Sequence, residues 1–374
     1  MSTATSTAHS PLVDVIAGAR PNFMKIAPIL RAIQERQTAG SRLRYRLVHT
    51  GQHYDAKMSG DFFTQLGIPE PDVNLEVGSG TQAEQTASIM IRYEKLLLDA
   101  RSDLCLVVGD VTSTMACAIA AQKLRVPVAH VEAGIRSGDW TMPEEINRLV
   151  TDSITNWFFT TSEVANGNLR AAGIPDERIF FVGNTMIDTL LTNLERLRPP
   201  AFWAQQRLQP GQYFVMTLHR PANVDDPAAF SRLLDAVCSS VQGLPVVFPV
   251  HPRTAKTLQG LSRTFPGLLA VDPQPYLEFN YLVRHARGVI TDSGGVTEET
   301  TVMGVPCMTL RDSTERPETV TVGTNELIGT DPAALPPALQ RLFAGQWKKG
   351  AIPELWDGRT GPRIAAALET LLST

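Results

Sequence analysis

Cysteine is scarce in this chain. Only Cys105, Cys117, Cys238 and Cys307 occur in 374 residues, and they lie far apart, mostly in apolar surroundings. Such spacing gives no disulfide framework and no metal-ligand pattern, so the thiols read as reduced core residues and no metal is expected. Blocks of basic charge are also missing, and the formal net charge is −4, which argues against nucleic acid or an anionic membrane as partner. Apolar runs such as 103–108 and 244–250 reach only strand length, too short to span a bilayer. Residues 1–11 are rich in Ser, Thr and Ala and lack the basic start and long apolar stretch of a signal peptide. A disordered tail and a cytosolic protein are therefore expected. Neither a Gly-x-Gly-x-x-Gly fingerprint nor a P-loop is present, so nothing calls for a nicotinamide or another cofactor.

What is present is an ordinary globular balance, with 43% apolar and 19% charged residues. The length is too great for one core and suits two α/β domains. Short β-rich runs alternate with helical spacing from end to end, as in parallel α/β sheets. The first series predicts strands at 13–17, 45–49, 104–108, 126–131, 157–160 and 179–182. Helices are expected between them at 22–37, 82–98, 113–124 and 144–156. A second series predicts strands at 213–217, 246–250, 268–271 and 288–291, with helices at 227–242, 254–264, 276–285 and 296–304. Residues 190–198 read as a helix, and the Pro- and Gln-rich stretch 199–212 reads as a linker. The expected fold is thus two Rossmann-like α/β domains, 12–198 and 213–361, facing across a cleft in a glycosyltransferase-B-like arrangement. Ligand would sit at the C-terminal ends of the strands. The last helix, 362–372, has the option of packing back onto the first domain.

Several residues at those strand ends could carry chemistry. Gly18-Ala19-Arg20-Pro21 follows the first strand and opens the helix of Lys25, joining a tight turn and a helix N-terminus to two cations. Asp292-Ser293-Gly294-Gly295 does the same after the strand at 288–291. Its glycines leave backbone N–H groups open to phosphate oxygens, and Ser293 adds a donor. Glu299, a turn further on, is suited to accept hydrogen bonds from a ribose. Asp110 and Glu132 follow two neighbouring strands, and Glu144-Glu145 opens a helix after Pro143, so several acids converge on one crevice. Crowded carboxylates shift one another and separate into acid and base members. Glu145 is instead expected to be plain helix N-terminal charge, favourable with the macrodipole. His219 and Arg220 close the first strand of the second domain, where an imidazole works near neutral pH or donates to a phosphate.

Taken in order, these segments resemble the non-hydrolysing UDP-N-acetylglucosamine 2-epimerases. The likeness runs from Val13 to about Gly329. It includes Gly-Ala-Arg-Pro with Lys25, Thr-Gly-Gln-His at 50–53, Val-Gly-Asp at 108–110 and His130-Val131-Glu132-Ala133-Gly134. It continues through Pro143-Glu144-Glu145-Ile146-Asn147-Arg148, Gly183-Asn184-Thr185, Leu218-His219-Arg220 and Asp292-Ser293-Gly294-Gly295, and ends with the 311–318 stretch Arg-Asp-Ser-Thr-Glu-Arg-Pro-Glu. The resemblance implies reversible inversion at sugar C2 by loss and re-addition of UDP through a 2-acetamidoglucal. It implies Asp110, Glu132, Glu144 and His219 as catalytic residues, with Arg148 supporting the carboxylates. Arg20, Lys25, Ser293, Gly294, Gly295 and Arg316 would hold phosphate and sugar, and Gln274, Phe279 and Glu299 would bind uridine. The expected partner is a UDP-sugar and the expected assembly a homodimer.

Two segments depart from the family pattern. His219-Arg220-Pro221-Ala222-Asn223 stands where many members have His-Arg-Arg-Glu-Asn, and Tyr54-Asp55 follows Gln52-His53. Some bacterial members bind a second, activating UDP-N-acetylglucosamine through these segments, so turnover without an activator is expected here. The Tyr-Asp variant also resembles relatives that epimerise UDP-2,3-diacetamido-glucuronate, which makes that sugar the alternative substrate. Three other readings compete: a transferase of the same fold, a hydrolysing epimerase and a non-catalytic nucleotide-sugar sensor. A transferase needs only one base and a sensor needs none, so the three acids count against both, and UDP release separates the hydrolase.

Overall fold

The computed structural model describes residues 10–18, 20–51, 65–261 and 263–373, with the backbone alone for Arg20, Pro21, Pro252 and Arg253. The N-terminal tail (1–9) and the Gln52–Asp55 variant segment lie outside the described residues. The chain forms two compact units. One comprises the residues up to Thr189 together with those from Glu354 onward; the other runs from Leu190 to Pro353.

The first unit carries β1 (Leu12–Ala17), β2 (Arg44–His49), β3 (Val73–Asn74), β4 (Leu104–Val108), β5 (Val128–Val131), β6 (Trp157–Thr160) and β7 (Ile179–Phe181). They pair in parallel in the order β3-β2-β1-β4-β5-β6-β7. Val15 of β1 stands beside Leu47 on one side and Leu106 on the other, so the strand order reverses between β1 and β4. Such a reversal opens a crevice at the strand C-terminal ends, where α/β proteins bind ligands. All five residues of β4, Leu-Cys-Leu-Val-Val, are buried, as expected for a strand covered on both faces. The covering helices are α1 (Arg20–Thr38), α2 (Gln82–Asp99), α3 (Thr112–Lys123), α4 (Pro143–Ile154), α5 (Glu163–Ala171) and α6 (Thr185–Asn193).

The second unit is built alike from β8 (Phe214–Thr217), β9 (Val246–Pro249), β10 (Leu268–Val271), β11 (Gly288–Thr291), β12 (Cys307–Thr309) and β13 (Asn325–Leu327). Their parallel order is β10-β9-β8-β11-β12-β13, which reverses between β8 and β11. Its helices are α7 (Pro221–Val224), α8 (Pro227–Ser240), α9 (Pro252–Gly260), α10 (Tyr276–His285), α11 (Gly294–Met303), α12 (Pro317–Thr321) and α13 (Leu335–Phe343). Both units are Rossmann-like, which is the α/β class expected. The last helix, α14 (Thr360–Leu372), belongs to the first unit. It packs along α1 so closely that a Cβ on Gly361 would lie 2.4 Å from the Pro28 carbonyl oxygen.

The helix expected at 190–198 starts earlier, at Thr185, and ends at Asn193. Asn184 is the reason: its Oδ1 accepts the Met186 N–H at 2.9 Å and starts the helix there. Residues 199–212 lie with the second unit, where Leu208 is buried and Trp203 meets Tyr213 and Tyr281 edge-on. Composition suggested a linker, but three large apolar side chains (Phe202, Trp203, Leu208) anchor the segment to the core beside Tyr213.

Candidate active site

At the C-terminal ends of β1, β4 and β5 the first unit gathers charge. Lys25, one turn into α1, places Nζ 2.6 Å from Glu132 Oε2. Gly109 makes this approach possible: a Cβ there would stand 3.1 Å from Lys25 Nζ and 3.6 Å from Glu132 Oε2. Asn22 fixes the same corner, donating from Nδ2 to the Val108 carbonyl while its Oδ1 accepts the Gly18 N–H. Glu132 itself has φ +67°, a left-handed conformation that a side chain adopts at a cost of about 1–3 kcal/mol and that clusters at functional sites.

Asp110 follows Gly109. Arg148 Nε and Nη2 donate to Asp110 Oδ2 at 3.1 and 2.6 Å, and Asn147 Nδ2 donates to the Asp110 carbonyl at 2.8 Å. Arg148 also donates from Nη1 to Glu145 Oε2 at 2.7 Å. Glu144 is half-buried at the start of the same helix. It lies four residues before Arg148, hence on the same helical face. Lys25, Asp110, Glu132, Glu144 and Arg148 thus sit on adjoining elements. Arg20 opens α1, and its side chain lies outside the described residues.

Glu145 corrects the sequence reading. It is not a solvated helix-end charge but a buried clamp, accepting from the Ser137 N–H and hydroxyl, the Gly138 N–H and Arg148. Burial would raise its carboxyl pKa, but these hydrogen bonds outweigh burial and hold it below the ordinary value.

In the second unit the turn after β11 meets the turn after β8. Asp292, fully buried, accepts from His219 Nδ1 at 2.8 Å, from the Arg220 N–H at 2.9 Å and from Asn223 Nδ2 at 3.1 Å. Burial would raise the Asp292 carboxyl, but His219, the Arg220 N–H and Asn223 hold it below its ordinary value. The half-exposed His219 ring is therefore oriented through Nδ1, leaving Nε2 as its chemically available nitrogen. Ser293 is the N-cap of α11, yet its hydroxyl makes no capping hydrogen bond. The first N–H groups of a ten-residue helix thus lack a side-chain cap beside a free-standing hydroxyl. A Cβ at Gly294 would come within 2.8 Å of Glu315 Oε1, so a larger residue there would displace that carboxylate.

Arg316 is buried, with Nε 2.5 Å from Glu298 Oε1, and Arg311 Nη2 donates to Glu315 Oε2 at 2.7 Å. Burial opposes ionisation of Glu315, yet Arg311 and Arg316 bring its carboxyl down to about 2. Glu299 has the opposite fate. Burial pushes it up to about 7, although Asn280 Nδ2 donates to its Oε1 at 3.2 Å. Gln274 lines a cavity of about 490 Å³ with Phe202, Val250 and Val271, whereas Phe279 packs against the Tyr213 core. The three residues expected at uridine are therefore spread over a loop and two helices. Sequence reasoning did not single out Asn22, Asp152, Asn223 or Arg311, and it read Glu145 as helix-end charge. Polar residues inside apolar-periodic segments were the available signal, and Asn22 and Asn223 each follow a strand-end turn. Among the described residues no cluster of metal-ligating side chains occurs, and no helix is long and apolar enough to cross a membrane.

Residues 35–369 match the sequence profile of the UDP-N-acetylglucosamine 2-epimerase family. The chain belongs to this family. A UDP-N-acetylglucosamine 2-epimerase from Methanocaldococcus jannaschii is 38% identical over 368 residues, 95% of this chain and 98% of the relative. A crystal structure of the Methanocaldococcus jannaschii enzyme in complex with UDP-GlcNAc and UDP superposes with a TM-score of 0.84 at 38% identity, covering 96% of this chain and 99% of that one. A UDP-2,3-diacetamido-2,3-dideoxy-D-glucuronate 2-epimerase from Pseudomonas aeruginosa is 41% identical over 317 residues, 84% of this chain and 87% of the relative. Within the epimerase family, then, relatives acting on two different UDP-sugars lie at similar distance from this chain.

Proposed function

We propose that this chain interconverts UDP-N-acetylglucosamine and UDP-N-acetylmannosamine by inverting C2, without hydrolysing the nucleotide sugar. Glu132 paired with Lys25 and Asp110 paired with Arg148, with Glu144 one helical turn before Arg148, carry the reading, since a transferase needs one base and a sensor none. A base removes the C2 proton, the released electron pair forms the C1–C2 double bond, and the C1–oxygen bond breaks with its pair leaving on UDP. UDP then adds back to C1 of the glucal while an acid returns a proton to the opposite face of C2. Asp110, Glu132 and Glu144 supply the proton-transfer groups, with Arg148 supporting Asp110. The candidates for holding the diphosphate are Ser293, Gly294, Gly295 and Arg316 in the second unit and Arg20 and Lys25 in the first, and His219 donates to it or moves a proton. Gln274, Phe279 and Glu299 contact uridine.

The test is proton NMR of the nucleotide sugar with purified protein in D2O. Deuterium should enter C2 as the two epimers equilibrate, with no UDP accumulating. Full retention of the C2 proton would sink the mechanism, and steady UDP release would mark a hydrolase. Asp110→Asn, Glu132→Gln and Glu144→Gln should each lose at least ~10²-fold in kcat, the usual scale for a general acid or base. Started from UDP-N-acetylmannosamine alone, turnover should show no lag, because Pro221-Ala222 and Tyr54-Asp55 stand where activated relatives differ.

A second substrate is favoured by one observation, the 41% identity to the Pseudomonas aeruginosa UDP-2,3-diacetamido-glucuronate epimerase. Parallel kcat/KM values for the two sugars decide between them. We further propose a cytosolic homodimer. Reduced thiols, whose pKa values burial raises, suit that compartment. The exposed Ile91 and Leu98, on one face of α2, and the exposed Trp140 offer apolar surface for self-association. Sedimentation equilibrium should give twice the chain mass.

A further inference from the structure

His130 is fully buried in β5, two residues before Glu132, and nothing in the proposed chemistry uses it. Its ring nonetheless spans two short contacts. Nδ1 lies 2.7 Å from Asp152 Oδ1 on α4, and Nε2 lies 2.7 Å from the carbonyl oxygen of Gly109. Asp152 extends the chain of contacts, accepting from the Gly134 N–H at 3.0 Å and from Arg136 Nη1 at 2.6 Å. Burial would push the Asp152 carboxyl up, but His130 and Arg136 outweigh it and keep it below its ordinary value. A carbonyl oxygen can only accept, so Nε2 donates to Gly109, while Nδ1 shares a hydrogen bond with Asp152.

Three segments are therefore joined through the imidazole and Asp152. The first is the Gly109 turn, with φ +70°, which carries Asp110. The second is the turn from Glu132 to Gly134, with φ values of +67° and +77° at those two residues. The third is α4, which brings Glu144 and Arg148. Both turns hold left-handed residues, whose conformation persists only when surrounding contacts over-determine it.

We infer that His130 is a positioning residue for the proton-transfer carboxylates, fixing the Asp110 turn through Gly109 and the Glu132 turn through Asp152. The inference rests on the reading of Asp110 and Glu132 given under Proposed function. A histidine that merely fills the core would contribute stability but would not separate kcat from fold or from nucleotide binding.

Two variants split the bridge. In His130→Gln the side-chain amide reaches the place of Nε2 and can still donate to Gly109. In His130→Asn it reaches only the place of Nδ1 and can donate to Asp152 alone. Both lose one hydrogen bond and the ring, so a purely structural role predicts kcat losses that follow stability, with the smaller Asn leaving the larger cavity. The positioning role predicts UDP affinity and KM close to wild type in both. In His130→Gln, Arg136 and the Gly134 N–H still hold Asp152, so kcat should stay within ~10-fold; in His130→Asn the Gly109 carbonyl loses the His130 donor, and kcat should fall by ~10²-fold or more, the scale of losing one acid–base group. Equal kcat values in the two variants, or kcat losses that simply follow thermal midpoints, overturn the inference. Should both variants fail to fold, nitrogen-15 NMR of the wild-type ring decides, with a proton held on Nε2 supporting the bridge to Gly109 and a bare Nε2 overturning it. A wild type inert towards both UDP-sugars would overturn the functional reading instead, and the ring nitrogens would still decide the bridge.

Discussion

Glu144 and Glu145 are neighbours at the start of one helix, yet their surroundings assign them different work. Glu144 is half-buried and makes no hydrogen bond among the described residues, whereas Glu145 is spent entirely on the 137–138 loop and Arg148. Glu145→Gln should therefore cost about 3 kcal/mol of stability at neutral pH, as breaking one side of a buried pair does. Because its folded carboxyl is depressed, that contribution is present above the ordinary carboxylate range and lost as pH falls through the folded value. The gap between wild-type and variant thermal midpoints should thus close in acid; a gap that is constant with pH would show that charge plays no part. Glu299 runs the other way. With a folded value of about 7 against an ordinary 4.5, it contributes stability in full below about pH 4.5 and loses it as pH rises through 7. Glu299→Gln should flatten that fall, and a wild-type midpoint equal at pH 5 and pH 8 would contradict it. Asp110 and Glu132 were legible in sequence because each directly follows an apolar strand run. Glu145 was not, because the loop N–H groups that it holds come from a segment with no periodic signal.

At the scale of elements, α1 shows how a flaw in one helix is repaired by another. Pro28 lies inside α1 and has no N–H to offer the Met24 carbonyl. Thr189 of α6 supplies the donor instead, with Oγ1 2.6 Å from the Met24 oxygen. Lys25 is the next residue, so the repair sets the turn of helix from which its ammonium reaches Glu132. Thr189→Val keeps the shape and removes the hydroxyl. It should cost about 1–3 kcal/mol, the usual penalty for an unsatisfied polar group, and lower kcat as well. Urea unfolding with an unchanged midpoint would show that the Met24 carbonyl finds another donor. Strands buried on both faces and long amphipathic helices were readable from residue pattern. Among the elements that escaped, β3 has two residues, β13 reads Asn-Glu-Leu, and α5 contains Gly167 in its interior, whereas α13 was missed although Leu335, Ala338, Leu339 and Leu342 mark its buried face. The short strands take their stability from neighbours in the sheet rather than from any periodicity of their own.

For the whole molecule, chain path matters as much as sheet order. The second unit is one continuous stretch, but the first is closed by the last residues of the chain. Trp356 is buried and donates from Nε1 to the Thr161 carbonyl at 3.0 Å, while Ile364, Ala365 and Leu368 of α14 are fully buried. Asp188 Oδ2 accepts the Gly361 N–H at 2.7 Å, and Arg36 pairs with Glu369. Burying Trp356, Ile364 and Leu368 is worth about 1.5–3 kcal/mol each, which together rivals the about 5–15 kcal/mol that holds a typical domain folded. Removing residues 354–374 should therefore unfold the first unit and leave the second intact. Calorimetry of the shortened chain should show a single transition with lower enthalpy than the full chain. The shortened chain should still bind UDP, more weakly than the full chain, if Ser293–Gly295 and Arg316 hold the diphosphate as proposed. C2 exchange should vanish, since Asp110, Glu132 and Glu144 lose their scaffold. A shortened chain that still epimerises would mean that the first unit closes without α14, and that the close seat of Gly361 on Pro28 contributes packing but not the fold.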